Sequence, residues 1–241
     1  MKKHPYIYSI IVIIILWTAA HIAVSRSIIP SPIETFIFIV NNFGILIKNV
    51  LVSLYRISLA IFITIVLGLI VGITTARIEK VDRIFTPLLY TVFPIPKIAF
   101  LPILMLFLGL GDASKIALVS LILFFQISIT IRDGVKKIHP SYFLSIKSLG
   151  GRGFQVYRHV ILPAILPNLF TSLRVSIGIS ISVLFFAENF ATNLGIGYYI
   201  MDSWLKLDYK AMFSGIVLIS LMGTFLFNII DLLEKKICLW D

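Results

Sequence analysis

Charge is what this 241-residue chain has least of: Asp, Glu, Lys and Arg together make up 13%, about half of the roughly 25% found in a soluble domain. So little charge excludes a globular protein clothed in water. A single cysteine, Cys238, excludes an internal disulfide and any multi-cysteine metal site. The phosphate-cradling pattern G-x-x-x-x-G-K-[ST] is absent, so the chain brings no P-loop for ATP. Acidic residues are scarcer than basic ones, 11 against 21, and none occurs at 134–187. No paired carboxylates, histidine cluster or Ser/His/Asp set points to a membrane-embedded enzyme.

What fills the chain is apolar: 59% of residues are hydrophobic and the mean hydropathy is +1.03. Crossing a hydrocarbon layer of about 30 Å takes about 20 apolar residues, which leaves room for about six spans with short connections. The run at 6–25 follows Lys2 and Lys3. It is too long for a signal h-region, and Ala19, Ala20 and His21 make a poor cleavage site, so it reads as a retained span. The apolar stretch 34–40 is too short to span and reads as an interfacial helix. Further spans are expected at 50–76, 84–108, 116–131, 169–190 and 212–233. The third carries Pro87, Pro94, Pro96 and Pro102, which should break or kink it.

Six spans put both termini on one side. With the N terminus inside, the inner segments hold Lys2, Lys3, Arg77, Lys80, Arg83, Arg132, Lys136, Lys137, Lys147, Arg152, Arg158, Lys235 and Lys236; the outer ones hold Arg26, Lys48, Lys115, Lys206 and Lys210. Thirteen against five favours an N-in, C-in topology. The net charge of +10 is then mostly topological, and no nucleic-acid partner is needed to explain it.

The stretch 132–168 is the longest without a span-length apolar run. After Pro140, residues 141–149 suit a short helix with Tyr142, Ile146 and Leu149 on one face, ended by Gly150 and Gly151. A second helical stretch begins near Phe154, punctuated by Pro163 and Pro167. An exposed apolar face on a basic loop suits a groove on a soluble partner or the surface of an anionic leaflet; periodicity does not choose between them.

The run KSLGGRGFQVYRHVILPAILP resembles the EAA loop of bacterial ABC-importer permeases, whose pattern is E-A-A, three residues, Gly, nine residues, then I-x-L-P. Gly150 stands at the glycine and Val160, Leu162 and Pro163 at the closing motif, while Leu144, Ser145 and Ile146 occupy the E-A-A positions. LYRISLAIFITIVLGLIVG, PIPKIAFLPILMLFLGLGDASKI and AENFATNLGIGYYI resemble the nitrate/sulfonate/taurine-type permeases, and the likeness covers roughly 49–236. The resemblance implies an all-α, six-span permease of type I ABC importer fold in a bacterial inner membrane. The chain would divide into an N-terminal span and interfacial segment at 1–48, a five-helix core at 49–236 and a cytoplasmic tail at 237–241.

The implied partners are a second permease copy, most simply a homodimer, two cytoplasmic ATPase subunits that hold ATP and Mg, and an extracytoplasmic solute-binding protein. This chain itself would bind no cofactor. The coupling role would fall to 141–151, with Tyr142, Leu144, Ser145, Ile146, Lys147, Leu149, Gly150, Arg152, Leu162 and Pro163 as contact candidates. Leu144 replaces the family's glutamate, so a hydrophobic contact is expected there in place of the acidic one.

Pathway candidates come from polar residues in or beside spans. Glu188, taken as the only acid within or at the edge of a span, reads either as a gate residue or as an interfacial carboxylate, an ambiguity that Asn189 and Asn193 share. Lys97 reads either as a cation in a wet helix break, attracting an anionic solute, or as a snorkelling interfacial lysine. Gln126, the serine row Ser172, Ser176 and Ser180, and the pair Gly68 and Gly72 suit close helix packing better than solute contact. His139 and His159 suit a solvated role better than metal binding, with no third ligand nearby. An ion-coupled secondary transporter would need more intramembrane ionisable groups than Lys97 and Glu188.

Overall fold

The computed structural model describes residues 4–24 and 28–238; Lys2, Lys3, Arg26 and the end of the tail at 239–241 lie outside them. All regular elements among the described residues are helices: α1 (His4–Ala23), α2 (Pro32–Asn41), α3 (Phe43–Arg77), α4 (Glu79–Val92), a 3-10 turn (Lys97–Phe100), α5 (Leu101–Leu108), α6 (Asp112–Lys136), α7 (Pro140–Ser148), α8 (Phe154–Ala187), α9 (Ile196–Leu205) and α10 (Tyr209–Ile237). Four of these, α3, α6, α8 and α10, are long and apolar enough to cross a membrane, and α4 with α5 makes a fifth if the bent pair counts as one span. The chain divides into two compact units, 1–54 with 188–222, and 55–187 with 223–241.

In the larger unit α6 packs along α8, and Leu118, Leu123, Ile127 and Ile131 of α6 join Ile161, Ile165, Leu173 and Ile177 of α8 in the buried core. Small residues set the approach of α3. A Cβ added at Gly68 would lie 2.7 Å from the Ile127 side chain, and one at Gly72 would lie 2.8 Å from both Ile131 and the Ser128 carbonyl. These glycines therefore act in packing. Ser176 and Ser180 of the buried serine row donate to the carbonyls four residues earlier, at 2.8 and 2.6 Å, which hides their hydroxyls without any solute.

Two spans start well before the expected residue. α8 starts at Phe154 rather than 169, because a π-helical stretch at Tyr157–Ile161 widens the helix just before Pro163, and the Leu162 amide reaches back to the Tyr157 carbonyl. Such a bulge absorbs the proline ring and its missing donor without ending the helix. α3 starts at Phe43, seven residues before the expected span. The broken third span bends by 92° between α4 and the Lys97–Leu108 segment. Pro87 stays inside α4 and Pro102 sits in the first turn of α5, where no donor is needed, so the break belongs to Pro94 and Pro96.

In the smaller unit Pro32 opens α2 behind a capping box: the Glu34 amide donates to Ser31 Oγ at 3.2 Å, and the Ser31 amide donates to Glu34 Oε2 at 3.1 Å. That backbone hydrogen bond holds the Glu34 carboxyl below its ordinary range. Trp17 Nε1 donates to the Pro30 carbonyl at 3.0 Å, and its ring stacks on Phe213 at 5.8 Å.

Gly72→Ala should lower the melting temperature of the detergent-solubilised chain, at a cost of about 1–3 kcal/mol for overpacking. Gly44→Ala, where an added Cβ meets nothing within 4 Å, should leave it level or raise it slightly. Equal melting of the two variants would refute the close α3–α6 approach.

Candidate functional site

The short α7 is built by its ends. His139 caps it, Nδ1 accepting from the Ser141 amide at 3.3 Å. At the other end the Gly150 amide donates to the Lys147 carbonyl at 2.9 Å and the Gly151 amide to the Ile146 carbonyl at 2.8 Å, the paired bonds of a Schellman stop. Gly150 adopts φ +80°, a conformation that costs a side-chain-bearing residue about 1–2 kcal/mol, which is why glycine suits the motif position there. A Cβ at Gly151 would lie 2.7 Å from Ile146 Cγ1.

This arrangement divides the expected docking face. Tyr142, Leu144 and Leu149 are 63%, 66% and 83% exposed, and Ser145 is exposed beside them. Ile146 instead turns to Gly151, and Phe143 lies under the Arg77 guanidinium at 4.8 Å. The outward apolar surface is thus Tyr142, Leu144 and Leu149. Leu162 and Pro163 lie half-buried in α8. Pro163 and Tyr142 share a cavity of about 440 Å³ with His139 and His159, while Lys147 and Arg152 line another of about 540 Å³ with Arg77.

Lys97 sits in the helix break and is buried. Its Nζ donates to the Phe93 carbonyl at 2.7 Å, faces the Ile95 carbonyl at 3.4 Å, and lies 4.8 Å from the centre of the Phe125 ring. The break at Pro94 and Pro96 ends the helical ladder, so these two carbonyls lose the amides four residues on, and the lysine takes their place. Beside it a cavity of about 330 Å³ is lined by Ile95, Ile98, Ile122, Ser182, Val183 and Phe186. Gln126 is half-buried on α6, next in sequence to Phe125.

Glu188, the first residue after α8, is fully buried. Ser53 Oγ donates to its carboxyl at 2.7 and 2.9 Å, and the Gly197 amide donates to Oε2 at 2.8 Å. Ser53 Oγ in turn accepts from the Ile196 amide at 2.8 Å, while Asn49 Oδ1 accepts from the Gly195 amide at 2.9 Å. Gly195 has φ +126°, and a Cβ there would overlap the Glu188 carboxyl. Asn189 is half-buried and Asn193 exposed.

Glu188 is also not the lone acid of a span. Asp231 and Glu234 in α10 both pair with Arg174 of α8, the Asp231 contact at 2.7 Å. Asp112, at the start of α6, pairs with the buried Arg56 at 2.6 Å. Lys115, expected in an outer loop, is fully buried and donates to the Leu110 and Gly111 carbonyls at 2.8 and 3.2 Å. Ser53, Asn49 and Arg77 escaped sequence reasoning because a lone serine or asparagine in a span carries no spacing signal, and Arg77 reads as a routine inner-side cation. Among the described residues no group of three His, Cys, Asp or Glu side chains could hold a metal ion.

Ser53→Ala strands one buried donor, the Ile196 amide, and takes a donor from the buried Glu188 carboxyl, so it should cost about 2–3 kcal/mol in an unfolding titration in mixed micelles. Ser58→Ala, exposed on the same helix, should change nothing measurable. Indistinguishable stabilities would remove the Ser53–Glu188 cluster as a structural element.

Residues 64–238 match the family described as "Binding-protein-dependent transport system inner membrane component". The chain is 30% identical over 220 residues to the putative aliphatic sulfonates transport permease protein SsuC of Bacillus subtilis, covering 90% of this chain and 79% of that protein. It is 29% identical to the taurine transport system permease protein TauC of Escherichia coli, covering 80% and 70%. It is 27% identical to the formylaminopyrimidine transport permease protein ThiX of Halalkalibacterium halodurans, covering 98% and 95%. Among solved structures, an inward-facing MetNI methionine ABC transporter superposes with a TM-score of 0.69 at 17% identity, over 81% of this chain and 97% of that one. An amino acid ABC transporter gives 0.62 at 16%, over 84% and 98%. The fold is therefore that of type I ABC importer permeases. With the family match running from residue 64 to residue 238, the chain belongs to the binding-protein-dependent transport inner membrane components, the permease subunits of ABC importers.

Proposed function

We propose that this permease passes a small organic anion or a vitamin precursor inward, delivered by an extracytoplasmic binding protein and driven by ATP hydrolysis on two cytoplasmic ATPase subunits docked at α7. The observation that carries this reading is the shape of α7: a helix stopped by Gly150 that presents Tyr142, Leu144 and Leu149 outward. Ser145 extends that face, Ile146 and Gly150 shape it, Leu162 and Pro163 back it from α8, and Lys147 and Arg152 flank it. An apolar anchor with charges at its rim is what a groove on a soluble partner takes. The chain has no P-loop, so ATP and Mg belong to the partner. A second copy of the chain would complete the permease.

The topology proposed is six spans, N-in and C-in. It takes the four long helices, the bent pair as one span, and α1, whose apolar stretch runs at least Tyr8–Ala23. The distribution of Lys and Arg supports that orientation.

The substrate class follows the relatives, whose names give aliphatic sulfonates, taurine and formylaminopyrimidine. An ammonium has three donors, and the two carbonyl contacts of Lys97 leave capacity toward its cavity. In this reading Lys97 and Gln126 belong to the pathway, while Glu188, with Asn189 beside it, holds a gate segment in place rather than touching solute.

In proteoliposomes holding the chain, its ATPase and its binding protein, uptake should require ATP hydrolysis; uptake without it would sink the proposal. Leu144→Lys should leave membrane insertion intact and abolish co-purification of the ATPase, and retained association would reassign the docking face. In the same assay Lys97→Met should cut uptake of an anionic solute by about tenfold or more, the loss of one charge-assisted contact of about 1.5–3 kcal/mol. Unchanged rate and half-saturation would remove Lys97 from the pathway.

A further inference from the structure

Arg77, Lys147 and Arg152 converge on one cavity of about 540 Å³, closed by the Gly151–Gly153 turn and by Tyr157. Each comes from a different place: the last residue of α3, the end of α7 and the turn before α8. The cavity lining holds no acidic residue, and none occurs in the sequence at 134–187. The site is also held in shape. Phe143 lies under the Arg77 guanidinium at 4.8 Å, and the Arg152 amide donates to Gln155 Oε1 at 3.1 Å. Three like charges around one cavity repel one another, and an anion in their midst reverses that balance.

The lengths of the helices that line the cavity point to the source of the anion. Arg77 ends a 35-residue apolar helix, and Tyr157 lies in the first turns of a 34-residue one. At 1.5 Å per residue these helices run about 50 Å, somewhat more than the roughly 40–45 Å of a bilayer with its headgroups, so their ends, and the cavity with them, come within reach of the headgroup layer and not of the hydrocarbon. Phe154, 73% exposed, adds apolar surface next to it. Basic pockets between spans at this level suit phospholipid headgroups, and guanidinium forks suit phosphate oxygens.

We propose that this cavity binds the phosphate of an anionic phospholipid headgroup, with Arg77, Lys147 and Arg152 as its donors. The assignment of that lipid to the cytoplasmic leaflet rests on the N-in orientation proposed above. Lipid occupancy would brace α7 at the flank of its docking face, so the surrounding leaflet becomes part of the coupling site.

The test uses the purified full-length chain, equilibrated with mixed phosphatidylglycerol and phosphatidylcholine and exchanged into clean detergent. Retained lipid is counted by native mass spectrometry. Phosphatidylglycerol should be retained over phosphatidylcholine, and Arg77→Gln/Lys147→Gln/Arg152→Gln should weaken its binding by about two orders of magnitude, at roughly a factor of five per charge. Lys235→Gln/Lys236→Gln, on the exposed end of α10, should retain it like the native chain. If the triple variant melts early, Arg152→Gln alone carries the test with its fivefold loss.

Equal retention of both lipids, or native retention by the triple variant, would overturn the proposal. Millimolar inorganic phosphate alone should not raise the melting temperature, and a rise matching that given by phosphatidylglycerol would assign the cavity to a soluble anion instead. Loss of ATPase co-purification with phosphatidylglycerol retention intact would give the three cations to that partner. Thiol labelling of Arg152→Cys in a Cys238→Ser background by a membrane-impermeant reagent reads the side. Labelling from outside overturns the orientation and leaves the lipid result standing.

Discussion

A helix interrupted within a hydrocarbon layer leaves amides and carbonyls that water does not reach, and each must find a partner in the protein. Much of the buried polar chemistry of this chain answers that constraint. Lys97 serves the Phe93 and Ile95 carbonyls at the Pro94–Pro96 break, and Lys115 serves Leu110 and Gly111 where α5 gives way to α6. Asn49 and Ser53 take the Gly195 and Ile196 amides as the chain enters α9. Two lysines and two small polar residues thus let the backbone turn where a membrane protein would otherwise have to stay helical.

Ionic pairs do a second job in the larger unit, tying neighbouring helices together. Arg56 reaches Asp112, Arg132 and Lys136 both reach Asp82, and Arg174 reaches Asp231 and Glu234. These pairs keep at least one partner partly exposed, where screening leaves an ion pair worth about 0–1 kcal/mol, so their value lies more in register than in stability. The glycines at 68 and 72 set how close α3 comes to α6, and the Arg56–Asp112 pair fixes how far one slides along the other.

The reading of the sequence was strongest where a physical signal was periodic or rare. Span-length hydrophobicity located α3, α6, α8 and α10, and the glycines after Leu149 located the stop of α7. It was weak where tertiary partners override a local rule. Pro163 looks like a helix break until a π-bulge absorbs it, and Ile146 shares a face with Tyr142 on a helical wheel until the chain folds Gly151 against it. Glu188 stays ambiguous in the sequence because its donors, Ser53 and the Gly197 amide, lie 135 residues away or in a glycine-rich turn, and neither advertises itself by spacing.

The same partners change the meaning of the basic excess. Arg56, Arg132, Lys136 and Arg174 are neutralised by carboxylates on neighbouring helices, while Lys97 and Lys115 spend donors on carbonyls. None of these six is free to read the charge of a leaflet. In the N-in orientation proposed above, the positive-inside bias would act through cations without such partners, Arg77, Lys147 and Arg152 among them, and those three converge on one cavity beside the helix proposed to meet the ATPase. The residues that orient the protein in its membrane are, on this account, the ones that place α7 at the height where a soluble partner reaches it.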